Sequence, residues 1–157
     1  MENTPSLPHA ETIQRLIYDL VRYAGVCDRV CTEQLAITGS QGYTLLAIAD
    51  GEAISMNDLS LKMKLSNSTM TRMVDQLVQK GLVNRLPDAD DRRVVRLGLS
   101  GPGRQTQMEL SQALQAFFSQ VVQEIPEEER ESVIHSLASL NQAILSTLRS
   151  CCGQELN

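Results

Sequence analysis

The sequence predicts a mainly α-helical chain with one small β-hairpin, an α+β fold in which long helices at both ends flank a compact unit of shorter ones. Two observations carry this. Apolar residues recur at helical spacing through most of the chain, and between residues 83 and 99 the period drops to two before the helical spacing returns. At 157 residues the chain suits one domain, spanning 1–157, and 42% hydrophobic with 21% charged residues is the balance of a folded chain rather than a disordered one.

The first helix is predicted over about 11–36, where Ile13, Ile17, Leu20, Ala24, Cys27 and Cys31 follow steps of four and three, the seam of a helix packed against partners. Thr38 with Gln41 three positions on is a capping-box pattern, and it opens a second helix over about 39–50 that stops at the turn Asp50-Gly51. Ser55 with Asp58 repeats the pattern and opens a short third helix through Leu59, Leu61 and Met63. Ser66 then caps a fourth, whose Met70, Met73, Val74, Leu77 and Val78 form one buried stripe, and Gly81 supplies the left-handed stop.

Val83–Leu86 and Val94–Leu99 read as the strands of a hairpin around a polar tip. Ser100 and Pro102 restart a helix carrying Met108, Leu110, Leu114, Phe117, Val121 and Ile125. Pro126 followed by three glutamates begins the last helix, its acids set at the positive end of the dipole, with Val133, Leu137, Leu140, Ile144 and Leu148 as its stripe. Two short helices joined by a tight turn and followed by a hairpin are the parts of a winged helix-turn-helix, here 38–100, in which the second helix enters the DNA major groove. The flanking stretches 11–36 and 102–150 are the expected dimerisation helices.

Several function classes are disfavoured. No run of about 18 apolar residues occurs and the first dozen positions lack the basic start of a signal peptide, so a cytoplasmic protein without a membrane partner is expected. His9 and His135 are the only histidines and no nucleophile signature or phosphate loop is present; neither catalysis nor a cofactor nor a metal centre is expected.

The net charge of −5 hides an asymmetry. From Asp58 to Arg104 there are nine Lys or Arg against five Asp or Glu, whereas the remainder holds five basic and fourteen acidic residues. A basic reading surface on an acidic scaffold fits that split. The face of the fourth helix opposite its buried stripe offers Asn67, Ser68, Thr69, Thr71, Arg72 and Gln76, with Ser66 at its start. Small hydroxyl residues at a helix N-terminus approach phosphates and base edges closely, and an arginine there can contact guanine through two hydrogen bonds.

The stretch from Leu59 to Arg104 resembles the signature of the MarR family of transcriptional regulators. The matching residues are Leu65-Ser66, Ser68-Thr69, Thr71-Arg72, Leu77, Gly81-Leu82-Val83, Arg85, Asp91, Arg93, Leu99-Ser100 and Gly103, with Thr38, Gln41 and Leu45 agreeing upstream. Three places depart from the pattern: Ala89 stands where proline is usual, Gly98 interrupts the second strand, and Gly101-Pro102 replaces a polar pair. The resemblance implies a homodimer on a pseudo-palindromic operator, a small-molecule or redox signal, and most often repression. It further implies that Arg93, beside Arg92, enters the minor groove while Asp91, with Arg85, supports the wing; an arginine at a hairpin tip suits the negative potential of a narrow groove.

Four cysteines stand apart from this reader. Cys27 and Cys31 lie one turn apart on one helix face, and Cys151 and Cys152 close the last helix. A thiol pair at that first spacing can be oxidised or bind a soft ligand, although both residues also belong to an apolar stripe. The leading expectation is therefore a dimeric, double-stranded-DNA-binding regulator. Its rival is a winged-helix module for protein–protein association without DNA, favoured by the acidic net charge and the aspartates near the hairpin tip.

Overall fold

The structure is a computed structural model and describes residues 9–88 and 95–151. Helix α1 (Ala10–Thr32) leads through a 3-10 turn (Glu33–Leu35) to α2 (Gly39–Ala47); strand β1 (Ile54–Ser55), α3 (Met56–Met63) and α4 (Asn67–Gln79) follow. Strands β2 (Val83–Pro87) and β3 (Val95–Leu99) then give way to α5 (Gly101–Gln123) and α6 (Glu127–Cys151). The mainly helical fold with its winged hairpin is as the sequence predicts.

Local chemistry explains most boundaries. At Thr38 the capping box closes in both directions: the hydroxyl accepts from Gln41 N at 3.3 Å and the Gln41 amide oxygen accepts from Thr38 N at 3.2 Å. Ser55, Ser66 and Ser100 cap α3, α4 and α5 in the same way, each hydroxyl accepting from the backbone N–H three residues on. Gly81, at φ 71°, ends α4 with Leu82 N donating to Leu77 O and Gly81 N to Val78 O, so the last carbonyls are satisfied.

Two predicted boundaries are corrected and one element is added. Helix α1 ends at Thr32, not near 36: the Thr32 hydroxyl donates back to Asp28 O, the ladder tightens into a 3-10 turn, and Ala36 takes a left-handed φ of 52°. Helix α2 stops at Ala47 rather than running to 50. Ile48 turns extended and is fully buried, while the Gln107 amide of α5 donates to Leu45 O and Ile48 O, and the Lys62 ammonium donates to Ala47 O. Strand β1 is an addition, two residues long and therefore below any periodicity; it pairs antiparallel with β3, so the sheet order is β1-β3-β2.

One cluster holds the reader together. Leu45 and Ile48 of α2, Leu59 of α3, Met70, Val74 and Leu77 of α4, Val83 and Leu97 of the sheet and Leu110 of α5 are almost wholly buried against one another. Each such side chain contributes about 1.5–3 kcal/mol by leaving water, enough to fix α4 on its inner face. Ser100 ties the sheet to α5. Its buried hydroxyl donates to Gly81 O at 2.6 Å and accepts from Gly103 N at 2.9 Å. Ser100→Ala is expected to lower stability by about 1–3 kcal/mol, because both partners lose their bond; a urea midpoint equal to the native one at unchanged slope would refute this.

The flanking helices contrast with that core. Among the described residues α1 buries Cys27 and Thr32 alone, and α6 buries none. Ile13, Leu16 and Leu20 on α1, Phe118 and Val122 on α5, and Ile134 and Leu137 on α6 are all exposed in the single chain. No helix among the described residues is long and apolar enough to cross a membrane.

Candidate nucleic-acid interface

The predicted reading residues lie on α4, and its placement follows from the turn before it. Helix α3 ends on Lys64 in a left-handed conformation, φ 52°, with Leu65 N donating to Ser60 O and Lys64 N to Leu61 O. Ser66, two residues later, caps the start of α4. The buried Ser60 hydroxyl lies 2.6 Å from Asn67 Oδ1 and 2.8 Å from Asn57 O, which locks the two helices of the turn together.

The six predicted side chains on α4, with their cap Ser66, do not all share one role. Ser68, Thr69 and Arg72 are exposed on the face away from the core. Arg72 makes no side-chain hydrogen bond or ion pair to another described residue. Ser66 is occupied as the cap, its hydroxyl 3.1 Å from that of Ser68 and 2.9 Å from that of Thr69. Thr71 turns its hydroxyl back to Asn67 O at 2.7 Å. Asn67 faces Ser60, and Gln76 is drawn into a contact the sequence did not signal: the Gln41 amide donates to Gln76 Oε1 at 2.9 Å. Lys80 donates to Gln41 Oε1 at 2.9 Å and to Ala36 O as well, so α4 is strapped to the start of α2. Gln41 is legible in the sequence as a capping residue and a match to the family pattern; its second task joins it to residues 35 and 39 positions away in the chain.

At the root of the hairpin two ion pairs set the charge. Arg85 of β2 pairs with Asp75 of α4, fastening the wing to the helix, and Arg96 of β3 pairs with the buried Asp88 while reaching Ala53 O at 3.3 Å. Asp88 is thus neutralised from within the hairpin rather than left as a bare carboxylate. Asp91, Arg92 and Arg93, predicted for the wing tip, lie outside the described residues, as do Ala89 and Cys152.

The cysteines occupy a separate place. Cys27 is buried, Cys31 half-buried and Cys151 exposed; the Cys27 and Cys31 sulfurs are 3.8 Å apart. Burial, then the hydrogen bond and charge of Cys31 and the charge of Asp28, push the Cys27 thiol up to about 11 from an ordinary 9.0. At neutral pH it therefore carries ~100-fold less thiolate than an unperturbed thiol. Iodoacetamide is expected to label Cys27 at a rate lower by about that factor, read by peptide mass mapping; labelling as fast as that of an unstructured cysteine peptide would contradict it. Next to this pair the Tyr43 hydroxyl donates to Asp28 Oδ1 at 2.7 Å, which with burial raises it to about 12. A raised phenol keeps this α1–α2 tie intact below pH ~10, and the tie is lost as pH climbs through 12.

Comparison with known proteins adds an independent line. A family profile described as the MarR family matches residues 37–95, the segment that holds α2, the helix-turn-helix and the first strand of the hairpin. The HTH-type transcriptional repressor MdtR of Bacillus subtilis is 28% identical over 111 residues, 71% of this chain and 72% of that protein. Apo MarR from Escherichia coli superposes with a TM-score of 0.68 at 25% identity, covering 81% of this chain and 95% of that one. Streptococcus pneumoniae FabT, solved in complex with DNA, superposes with a TM-score of 0.79 at 21% identity over 87% of this chain and 98% of that one, a likeness of fold.

Proposed function

We propose that this chain is a transcriptional regulator of the MarR family, acting in the cytoplasm as a homodimeric repressor that reads a pseudo-palindromic operator and releases it on a chemical signal. The observation that carries the reading is α4 itself. One face is clamped in the core by Met70, Val74 and Leu77, and the other offers Ser68, Thr69 and Arg72 beside a helix N-terminus, where the backbone dipole favours phosphate. Asn67 and Gln76 hold α4 in place; Ser68, Thr69 and Arg72 meet the major groove, with Ser66 and Thr71 beside them at the phosphates. Arg92 and Arg93 reach the minor groove from the wing, and Arg85, through Asp75, sets the angle between wing and helix. FabT's capture with DNA and MdtR's description as a repressor support the reading by kinship.

The dimer follows from what the single chain leaves uncovered. Ile13, Leu16 and Leu20, with Phe118, Ile134 and Leu137, make apolar faces on the terminal helices, and exposed apolar surface of that extent on a soluble monomer marks an association site. A two-fold partner covers the same patches on both chains. Selection of bound sequences from random double-stranded DNA tests the whole proposal. The expected product is an inverted repeat with half-site centres about 10 base pairs apart, bound more weakly as salt rises. Enrichment of no sequence, or salt-insensitive retention of a protein partner in place of DNA, overturns it.

A further inference from the structure

We propose that Cys27 and Cys31 form a two-thiol site for a monosubstituted trivalent arsenical, with the organic group lying in the groove between α1 and α5. As the signal for the operator release proposed above, it rests on that reading; as a binding site it does not. The two residues sit one turn apart, so their side chains leave the same face of α1, and their sulfurs stand 3.8 Å apart. A single soft centre bonded to both sulfurs at ~2.3 Å, the length of a zinc–thiolate bond, holds them at most about 3.8 Å apart at angles up to the tetrahedral, and the narrower angle of a pyramidal arsenic asks the pair to close by only a few tenths of an ångström. A disulfide needs about 2.05 Å and would pull an intact helical turn out of shape.

The coordination number selects the ligand. No group of three Cys, His, Asp or Glu able to hold a metal ion occurs among the described residues, so a four-coordinate metal such as zinc would lack half its shell. A trivalent arsenic that already carries one carbon substituent requires two sulfurs and no more. The step is a condensation: each thiol sulfur forms a bond to arsenic as one arsenic–oxygen bond breaks, and each thiol proton leaves with the departing hydroxide as water. Two waters are released for one arsenical in its dihydroxy form, the form an arsine oxide takes by adding one water; arsenic stays trivalent, and no oxidant enters. The suppressed thiolate of Cys27 slows the approach to the adduct as it slows alkylation, but because the net reaction consumes two thiols and releases water, it does not weaken the adduct at equilibrium.

Access and consequence both come from Cys31. It lines a groove of about 600 Å³, where Val30, Leu35, Ala113 and Phe117 make the apolar part, suited to an aryl group, and three glutamines with Glu109 the polar part. On its other side it meets Thr32, Gly39, Tyr43 and Leu110 in a narrow cleft where α1, α2 and α5 converge. Gly39 and Gly42 show how tight that junction is: a Cβ would come within 2.7 Å of Asp28 Oδ2 at the first and of Leu110 Cδ2 at the second. A bulky adduct therefore shifts α1 against the helices that seat the reader.

The test uses phenylarsine oxide on the full chain carrying C151S/C152S, which removes the adjacent tail thiols as a rival pair. Native mass spectrometry should show one phenylarsenic per chain, resistant to excess glutathione and released by 2,3-dimercaptopropanol. Adding Cys31→Ser, which keeps the buried Cys27 and nearly the volume of the Cys31 side chain at the edge of the core, should abolish it, with circular dichroism confirming the fold. No adduct on the C151S/C152S protein, or an adduct that survives Cys31→Ser, overturns the site. The adduct should also weaken operator binding by about tenfold or more; unchanged affinity in a protein that forms the adduct overturns the signalling role. A protein that forms the adduct yet selects no DNA overturns the regulator reading instead.

Discussion

Gly103→Ala is expected to lower the melting temperature by roughly 6–12 °C, an effect out of proportion to one methyl group. Gly103 lies in the first turn of α5, buried against the turn that follows α4, and a Cβ built on it would stand 1.9 Å from Leu82 O and 2.9 Å from Leu82 C. The obstacle is backbone, not the end of a mobile side chain. Leu82 cannot retreat, because its carbonyl accepts from Ser100 N and its amide closes the end of α4 on Leu77 O. The helix must instead lift off the sheet, breaking the Ser100 cap and the seat of Leu110, at a cost of about 3 kcal/mol or more. Gly25→Ala is the control. Gly25 is also within a helix, but a Cβ added there meets nothing within 4 Å, so alanine should be neutral or stabilising by up to about 1 kcal/mol. Equal melting temperatures for Gly103→Ala and the native protein, compared at one protein concentration, would show that the junction yields.

The same glycine shows which features are legible in the sequence. Signals written within four residues are: the capping pairs Thr38/Gln41 and Ser55/Asp58, the caps Ser66 and Ser100, the left-handed Gly81, and the switch in period that marks β2 and β3. Gly103 is visible as a residue matching a family pattern, but the reason for it, the Leu82 carbonyl, needs the fold. Features that depend on distant partners stay hidden. The ends of α1 and α2 are set by Thr32 folding onto Asp28 and by Gln107 reaching across from α5. Lys64 ends α3 in a conformation that glycine usually marks, and strand β1 exists only because β3 lies beside it.

The candidate site divides along the same line. Helical period places Asn67, Ser68, Thr69, Thr71, Arg72 and Gln76 together on the outer part of one helix, and that placement stands. Period cannot tell a side chain reserved for a ligand from one engaged by a neighbour. Asn67 and Gln76 are engaged, by Ser60 and Gln41, both contributed by earlier helices. Arg85 reads in the sequence as a support for the wing, and the aspartate it meets is Asp75 on α4. The stripes on α1 and α6 have the spacing of packed seams. Their exposure in the single chain assigns that packing, under the dimer proposed above, to a second copy.

Arg72→Ala is expected to weaken binding to the proposed operator by roughly 5- to 150-fold, the equivalent of about 1–3 kcal/mol, while leaving the melting temperature and the proposed dimer unchanged. The separation of the two effects rests on geometry. Arg72 is exposed and makes no ion pair or side-chain hydrogen bond to another described residue, so its removal breaks nothing in the described fold. It lies one turn past the exposed Ser68, on a helix whose opposite face is immobilised by Met70, Val74 and Leu77, so its guanidinium is presented from a rigid base. If it reads a base edge, the loss concentrates on the preferred sequence, the variant tolerates substitution at one position of each half-site, and the dependence of affinity on salt keeps its slope. If it touches only phosphate, all sequences weaken together and the slope falls by about 1 for each arginine removed. The first pattern is the one expected, because in the proposed complex the backbone falls to the small hydroxyl residues and helix amides at the N-terminus of α4. Affinity equal to that of the native protein on the selected sequence would remove Arg72 from the interface, and a matching Arg93→Ala measurement would then decide whether the wing alone carries specificity.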